Sequence, residues 1–285
     1  MTRNFLEGKV QAVFNDFENE RWCSLNNFGF NSNGYSSKVN QQQYILKYYG
    51  AYFCELYGMY KKLLQSFNGD ELTILSIGCG SGVDCEALNR VVIDENKTVT
   101  IKYVGIDLID WHYRPNFPWA QFKTRCASTL QAEDVEDVDL FVFPKSLTEL
   151  SLDIRKHIAD LIVKNSKKNP IYFINTYATY NAHDNNSING IDEFQTISKI
   201  LTDDGWQCDQ EPNYYTYFIK QRWLGLDFTF FKLPDDVLPF VSELKDSCNN
   251  HNNSPQCMAC NINFWPVFSN KYLAYSLLKY TREKE

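Results

Sequence analysis

Three glycines at alternate positions, Gly78, Gly80 and Gly82, stand in the stretch ILSIGCGSGVD, after an apolar run and before a helix-forming segment that opens at Val83. Glycines between a strand and a helix let the backbone approach a ligand and leave N–H groups facing it at the helix N-terminus, which suits part of a nucleotide. A second apolar run, YVGIDL, delivers Asp107, 25 residues beyond Gly82. A carboxylate there can accept both hydroxyl protons of a ribose, a bidentate contact that a bare phosphate does not call for. The dinucleotide fingerprint G-x-G-x-x-G would put its third glycine at 83, where this chain has Val83, so NAD is the weaker expectation.

Other groups with chemistry lie further along. The run DLFVF leads into Pro144, Lys145 and Ser146, with Glu149 in the turn that follows. Lys145 reads either as a steering charge for an acidic substrate or as a solvated loop lysine. Glu149 reads as a first-turn acid favoured by the helix dipole, or as a substrate contact. INTYATYNAHDNN carries Tyr177, Tyr180, His183 and Asp184, and His183 is the best placed of four histidines to remove a proton. Near the C-terminus, Cys248, His251, Cys257 and Cys260 form a C-x2-H-x5-C-x2-C pattern. That set suits a structural zinc, or equally a group of free, redox-sensitive thiols.

These groups must be positioned by regular elements, and the pattern alternates. Strands are expected over 73–77, 101–106, 121–126, 139–143 and 170–176, with helices over 83–92, 152–166 and 191–202. Such alternation argues for a parallel sheet covered on both faces. A long tyrosine-rich helix is expected over 41–67, ending at Asn68-Gly69, and a short one over 5–20. Its tyrosines Tyr48, Tyr52 and Tyr60 either close over a ligand or, the favoured reading, pack on the sheet edge. Two strand-like runs, WQCDQEPNYYTYFIK and WLGLDFTFFKL, are expected to finish the sheet as an antiparallel pair. A short helix over 237–245 and a final helical stretch, SNKYLAYSLLKYTREKE, follow. The expected organisation is an arm or lid at 1–40, one α/β domain at 41–235, and a cysteine-bearing extension at 236–285.

The Gly-x-Gly-x-Gly loop, an acid closing the second strand and a reversed terminal strand pair together resemble the class I S-adenosylmethionine-dependent methyltransferases, over residues 74–233. The resemblance implies an α/β, doubly wound, mostly parallel seven-stranded sheet ending in an antiparallel pair. It implies S-adenosylmethionine held by Gly78, Cys79, Gly80 and Gly82 around the amino-acid end, Asp107 on the ribose, Leu108 and Ser128 at the adenine, and Pro144 beside the reacting methyl. Lys145, Glu149 and His183 are the candidate catalytic groups it leaves. The family often has Asp or Glu two residues before the first glycine, where this chain has Ser76, a hydroxyl that supplies no charge. Phe143-Pro144-Lys145-Ser146 differs from the Asn/Asp-Pro-Pro-aromatic run of enzymes that methylate base amines, which turns the expectation from duplex DNA toward a small-molecule or protein acceptor. RNA methylation, and a non-catalytic partner subunit that keeps the fold, are the alternatives.

Composition limits the partners. With 285 residues, 28 basic against 35 acidic side chains and a net charge of −7, the chain has no general positive field to gather a polyanion. Aromatic residues make up 15%, enough for a core and a cleft lined with flat rings. Nine cysteines, an odd number and mostly scattered, fit reduced thiols, and no uncharged apolar run is long enough to cross a bilayer. The expectation is a soluble, cytoplasmic protein.

Overall fold

In the computed structural model, which describes residues 8–10, 12–13, 15–16, 32–179, 188–189, 191–210, 216–217, 222–223, 226–227, 255 and 274–283, the expected alternation forms one sheet. The strands are β1 (Glu71–Ile77), β2 (Thr100–Asp107), β3 (Ala120–Thr124), β4 (Leu140–Pro144), β5 (Ile171–Thr179), β6 (Ile188–Asn189), β7 (Trp206–Cys208), β8 (Thr216–Tyr217), β9 (Arg222–Trp223), β10 (Leu226–Asp227) and β11 (Ala274–Arg282). The main sheet runs β3-β2-β1-β4-β5-β11-β7, with β6 added to β5 and β8 to β11; β9 and β10 pair separately. β1, β2, β3, β4 and β5 are mutually parallel, and β11 runs antiparallel to both β5 and β7. The helices are α1 (Lys38–Ser66), α2 (Val83–Asp94), α3 (Ala132–Val135), α4 (Leu152–Asn165) and α5 (Ile191–Asp203).

The central strands carry apolar side chains to both faces, as a parallel sheet covered by helices demands. On one face Leu72, Ile74, Leu140, Val142 and Ile174 pack with α1 and α2. On the other, Leu75, Ile77, Phe141, Phe143 and Phe173 pack with α4 and α5, whose Phe194, Ile197 and Leu201 recur at helical spacing. α1 starts where the Ser37 hydroxyl accepts from Asn40 N–H and runs unbroken through Gly50 and Gly58, because most of its 29 residues have a buried face to fill.

One element differs from expectation. The stretch read as a terminal helix supplies β11, whose Ala274–Tyr280 register pairs with Tyr177–Ile171 of β5. The reversed end of the sheet is therefore built from β11 paired with β7 and β8, both in the first of the two expected runs, while β9 and β10, at the start of the second, pair separately. Residues 274–282 pair within the main sheet. The expected helices at 5–20 and 237–245 lie wholly or partly outside the described residues. Among the described residues no helix is long and apolar enough to cross a membrane.

Candidate functional site

At the carboxyl end of β1 the chain turns sharply into α2. Gly78, Gly80 and Gly82 all adopt positive φ, at 73°, 53° and 73°. Only glycine accepts this without strain, and at Gly78 a side chain has no room either: a Cβ would overlap that of Ser146. The neighbouring strand fixes the turn, since Gly78 and Cys79 both donate backbone N–H to the carbonyl of Ile106, at 2.8 and 3.1 Å. Gly80 N–H donates to Asp107 Oδ2 at 2.8 Å, and Asp107 Oδ1 accepts from Ile109 N–H at 2.9 Å. The two motifs seen in the sequence thus meet directly, with each Asp107 oxygen holding one backbone donor and keeping further lone pairs.

A cavity opens beside this junction, lined by Tyr44 and Tyr52 of α1, by Gly78, Gly80 and Ser81 of the turn, and by Lys145 after β4. Cys79, Pro144 and Thr176 also reach its wall. The residues after β2 fold over the turn: Trp111 contacts the rings of Tyr35 and Tyr44, at centroid distances of 5.4 and 5.3 Å. Arg114 donates through Nε to the Gly80 carbonyl at 3.2 Å. Gln41, fully buried, clasps the cover together by donating to the carbonyls of Tyr35 and Asp110 and accepting from His112 N–H. Sequence reasoning missed Trp111 and Gln41, since neither belongs to a spaced motif.

Ser76 carries no charge, but a buried acid lies close to it. Asp84, in the first turn of α2, is fully buried and accepts from the Tyr103 hydroxyl at 2.9 Å. Burial pushes its carboxyl up to about 6, with Ser76 and Tyr103 holding it down. The Ser76 hydroxyl acts on Asp84 by proximity, without a well-aligned bond between them.

Of the candidate catalytic groups, Lys145 lies at the cavity wall, half-buried and with its backbone at φ 62°. Its Nζ is 2.8 Å from Glu55 Oε2 and donates to the Tyr177 carbonyl at 2.5 Å. Burial lowers the Lys145 ammonium pKa and pushes the Glu55 carboxyl up to about 7, each opposed by the other's charge. Glu55, in mid-helix, gave no sequence signal. Glu149 is exposed and is not among the residues lining the cavity; surrounding protein and then the Asp107 charge raise its pKa. Leu108 is 68% exposed beside Asp107, and the exposed Ser128 donates to Cys126 Sγ at 3.0 Å. Tyr48 stacks on Tyr52, while Tyr60 is wholly in the core. His183, Tyr180 and Asp184 lie outside the described residues, as do Cys248, His251, Cys257 and Cys260. Among the described residues no group of three His, Cys, Asp or Glu is arranged to hold a metal ion.

The sheet order, the single reversed strand between β5 and β7, and the glycine turn joined to the acid of β2 form the doubly wound, Rossmann-like α/β arrangement that the resemblance to class I S-adenosylmethionine-dependent methyltransferases implies. No family model and no curated protein sequence matches the chain. Among solved structures it is similar to the plantazolicin methyltransferase BpumL in complex with SAH, at 10% identity over 98% of this chain and 100% of that one, with a TM-score of 0.46. It is similar to magnesium protoporphyrin IX methyltransferase (ChlM) from Synechocystis PCC 6803 with bound SAM, at 12% identity over 98% and 97%, with a TM-score of 0.40. A third likeness, to the citrinin polyketide synthase CMeT domain at 13% identity and a TM-score of 0.36, takes in 59% of this chain and spans 48% of that one. The fold assignment rests on this chain's own strand order.

Proposed function

We propose that the chain transfers a methyl group from S-adenosylmethionine to a small-molecule or protein acceptor. The observation that carries the reading is the 2.8 Å bond from Gly80 N–H to Asp107, which joins the two nucleotide-type motifs at the mouth of a cavity. Two buried polar atoms beside the turn, Ser81 Oγ and Trp111 Nε1, have no hydrogen-bond partner among the described residues. Buried polar atoms are normally paired, so these two suit a polar ligand threaded between the turn and its aromatic cover.

In this reading Asp107 offers its remaining lone pairs to the ribose hydroxyls. The backbone of Gly78, Cys79, Gly80 and Gly82 surrounds the amino-acid end. Leu108 gives its exposed side chain to a face of the adenine and Ser128 lies at its edge, while Pro144 and Lys145 stand on the acceptor side. S-Adenosylmethionine, when bound, supplies an electrophilic methyl on a sulfonium. The protein's part is to align the acceptor in line with that methyl and to take a proton where the nucleophile carries one.

Asp107→Ala removes both the ribose acceptor and the clamp on Gly80 N–H. Equilibrium titration with S-adenosylmethionine is expected to show affinity lower by about 30-fold or more, in line with a lost charge-assisted bidentate contact. Affinity within about twofold of the parent would overturn the ribose assignment.

A further inference from the structure

Glu55 is an anomaly in its helix. It lies between Cys54 and Leu56 with no exposure at all, where a carboxylate costs several kcal/mol to bury. Its charge partner is Lys145, 90 residues further along, whose Nζ is 2.8 Å from Oε2 and donates to Oε1 at 3.1 Å. The same ammonium donates to the Tyr177 carbonyl and lies 5.0 Å from the centroid of the Tyr52 ring. The backbone is bent to aim it: Lys145 takes a left-handed conformation rare outside glycine, held by a 2.9 Å bond from its N–H to Thr176 Oγ1. Glu55 Oε2, though in contact with the ammonium, receives no aligned hydrogen bond. The pair therefore has a spare acceptor position behind a lysine that forms part of the cavity wall.

We infer that Glu55 and Lys145 act together as the proton acceptor for the molecule methylated here, whose nucleophile is then a hydroxyl or amine that must lose a proton rather than a group already ionised. This rests on the methyl-transfer reading of the same cavity. The acceptor's proton passes to Lys145 Nζ as Nζ passes one of its own to Glu55 Oε1 along the hydrogen bond between them. A lone pair on the acceptor atom forms the bond to the methyl carbon, and the carbon–sulfur electron pair stays on sulfur as a neutral thioether. The pair goes from net zero to one positive charge while the sulfonium charge disappears, so the cavity's total charge is unchanged. Lys145 touches the acceptor; Glu55 stores the proton and positions the lysine.

Among the described residues, the titratable groups that share the cavity with the lysine are Tyr44 and Tyr52 of α1 and Cys79 of the glycine turn, whose thiol burial pushes up. From β5 the pair meets the Tyr177 carbonyl, the phenol of that residue being turned to Ser276. Burial pushes the Glu55 carboxyl up to about 7, with the Lys145 charge opposing the rise.

The test uses two ligands that differ by the charge on sulfur, S-adenosylmethionine and S-adenosylhomocysteine, titrated calorimetrically between pH 8.5 and pH 6. A proton held by the pair repels the sulfonium and not the thioether. The preference for S-adenosylhomocysteine should therefore grow by roughly fivefold or more as pH falls, a modest effect for charges sharing one partly buried cavity. In Glu55→Gln, and in Glu55→Gln/Lys145→Met should the single variant fail to fold, that growth should shrink below about twofold. A flat ratio in the parent, or a slope that survives in these variants, overturns the inference while leaving methyl-donor binding intact. Failure of the parent to bind either ligand overturns the methyl-transfer reading itself.

Discussion

Lys145→Met is expected to destabilise the protein by about 3–5 kcal/mol, because it leaves the Glu55 carboxylate buried without its counter-ion. The Glu55 side chain is fully enclosed and that of Lys145 is 11% exposed, so water cannot take over the missing interaction. Removing both charges together, as in Glu55→Leu/Lys145→Met, should return most of the loss and land within about 1 kcal/mol of the parent or above it, since apolar groups of similar size fill such a site without a desolvation cost. Urea unfolding of the two variants and the parent checks this. Equal losses in the single and double variants would mean that the lysine stabilises the fold by packing alone.

Gly78→Ala should cost about 3 kcal/mol, nearly as much, for a steric reason. The residue sits at φ 73°, and its new Cβ would overlap that of Ser146 and lie 3.0 Å from Ser146 Oγ. Ser146 cannot step aside easily, because its hydroxyl donates to the Ile77 carbonyl at 2.5 Å and ties the turn after β4 to β1. Overpacking of this kind typically costs 1–3 kcal/mol on top of about 1 kcal/mol for the left-handed backbone. Gly80→Ala is the control: it shares the positive φ, but its Cβ would meet the Trp111 ring at an ordinary 3.6 Å, so only about 1 kcal/mol should be lost. Thermal or urea unfolding that ranked the two alike would show that conformation rather than contact decides at Gly78.

The parts of the fold that announce themselves in the sequence are those where local pattern and burial agree. β1, β2, β4 and β5 are short apolar runs, and the order of their alternation with helices follows from the chain alone. β11 hides because YLAYSLLKY combines good helix formers with an apolar spacing that suits either element. Its state is set by pairing with β5 along one edge and with β7 and β8 along the other, a tertiary influence that propensity does not carry. The site divides in the same way. Gly78, Gly80, Gly82 and Asp107 are legible because a tight turn and a strand end constrain residue type at fixed spacing. Asp84 and Glu55 are ordinary helix residues until Tyr103 and Lys145, far away in sequence, are brought against them. Long-range contacts of that sort leave no local mark.

Equilibrium binding of S-adenosylmethionine set against NAD decides whether the junction of the glycine turn with Asp107 serves a methyl donor or a dinucleotide. Saturable, one-to-one binding of S-adenosylmethionine is expected, with a dissociation constant at least about tenfold below that for NAD. Tighter binding of NAD, or no saturation by S-adenosylmethionine at millimolar concentration, would contradict it.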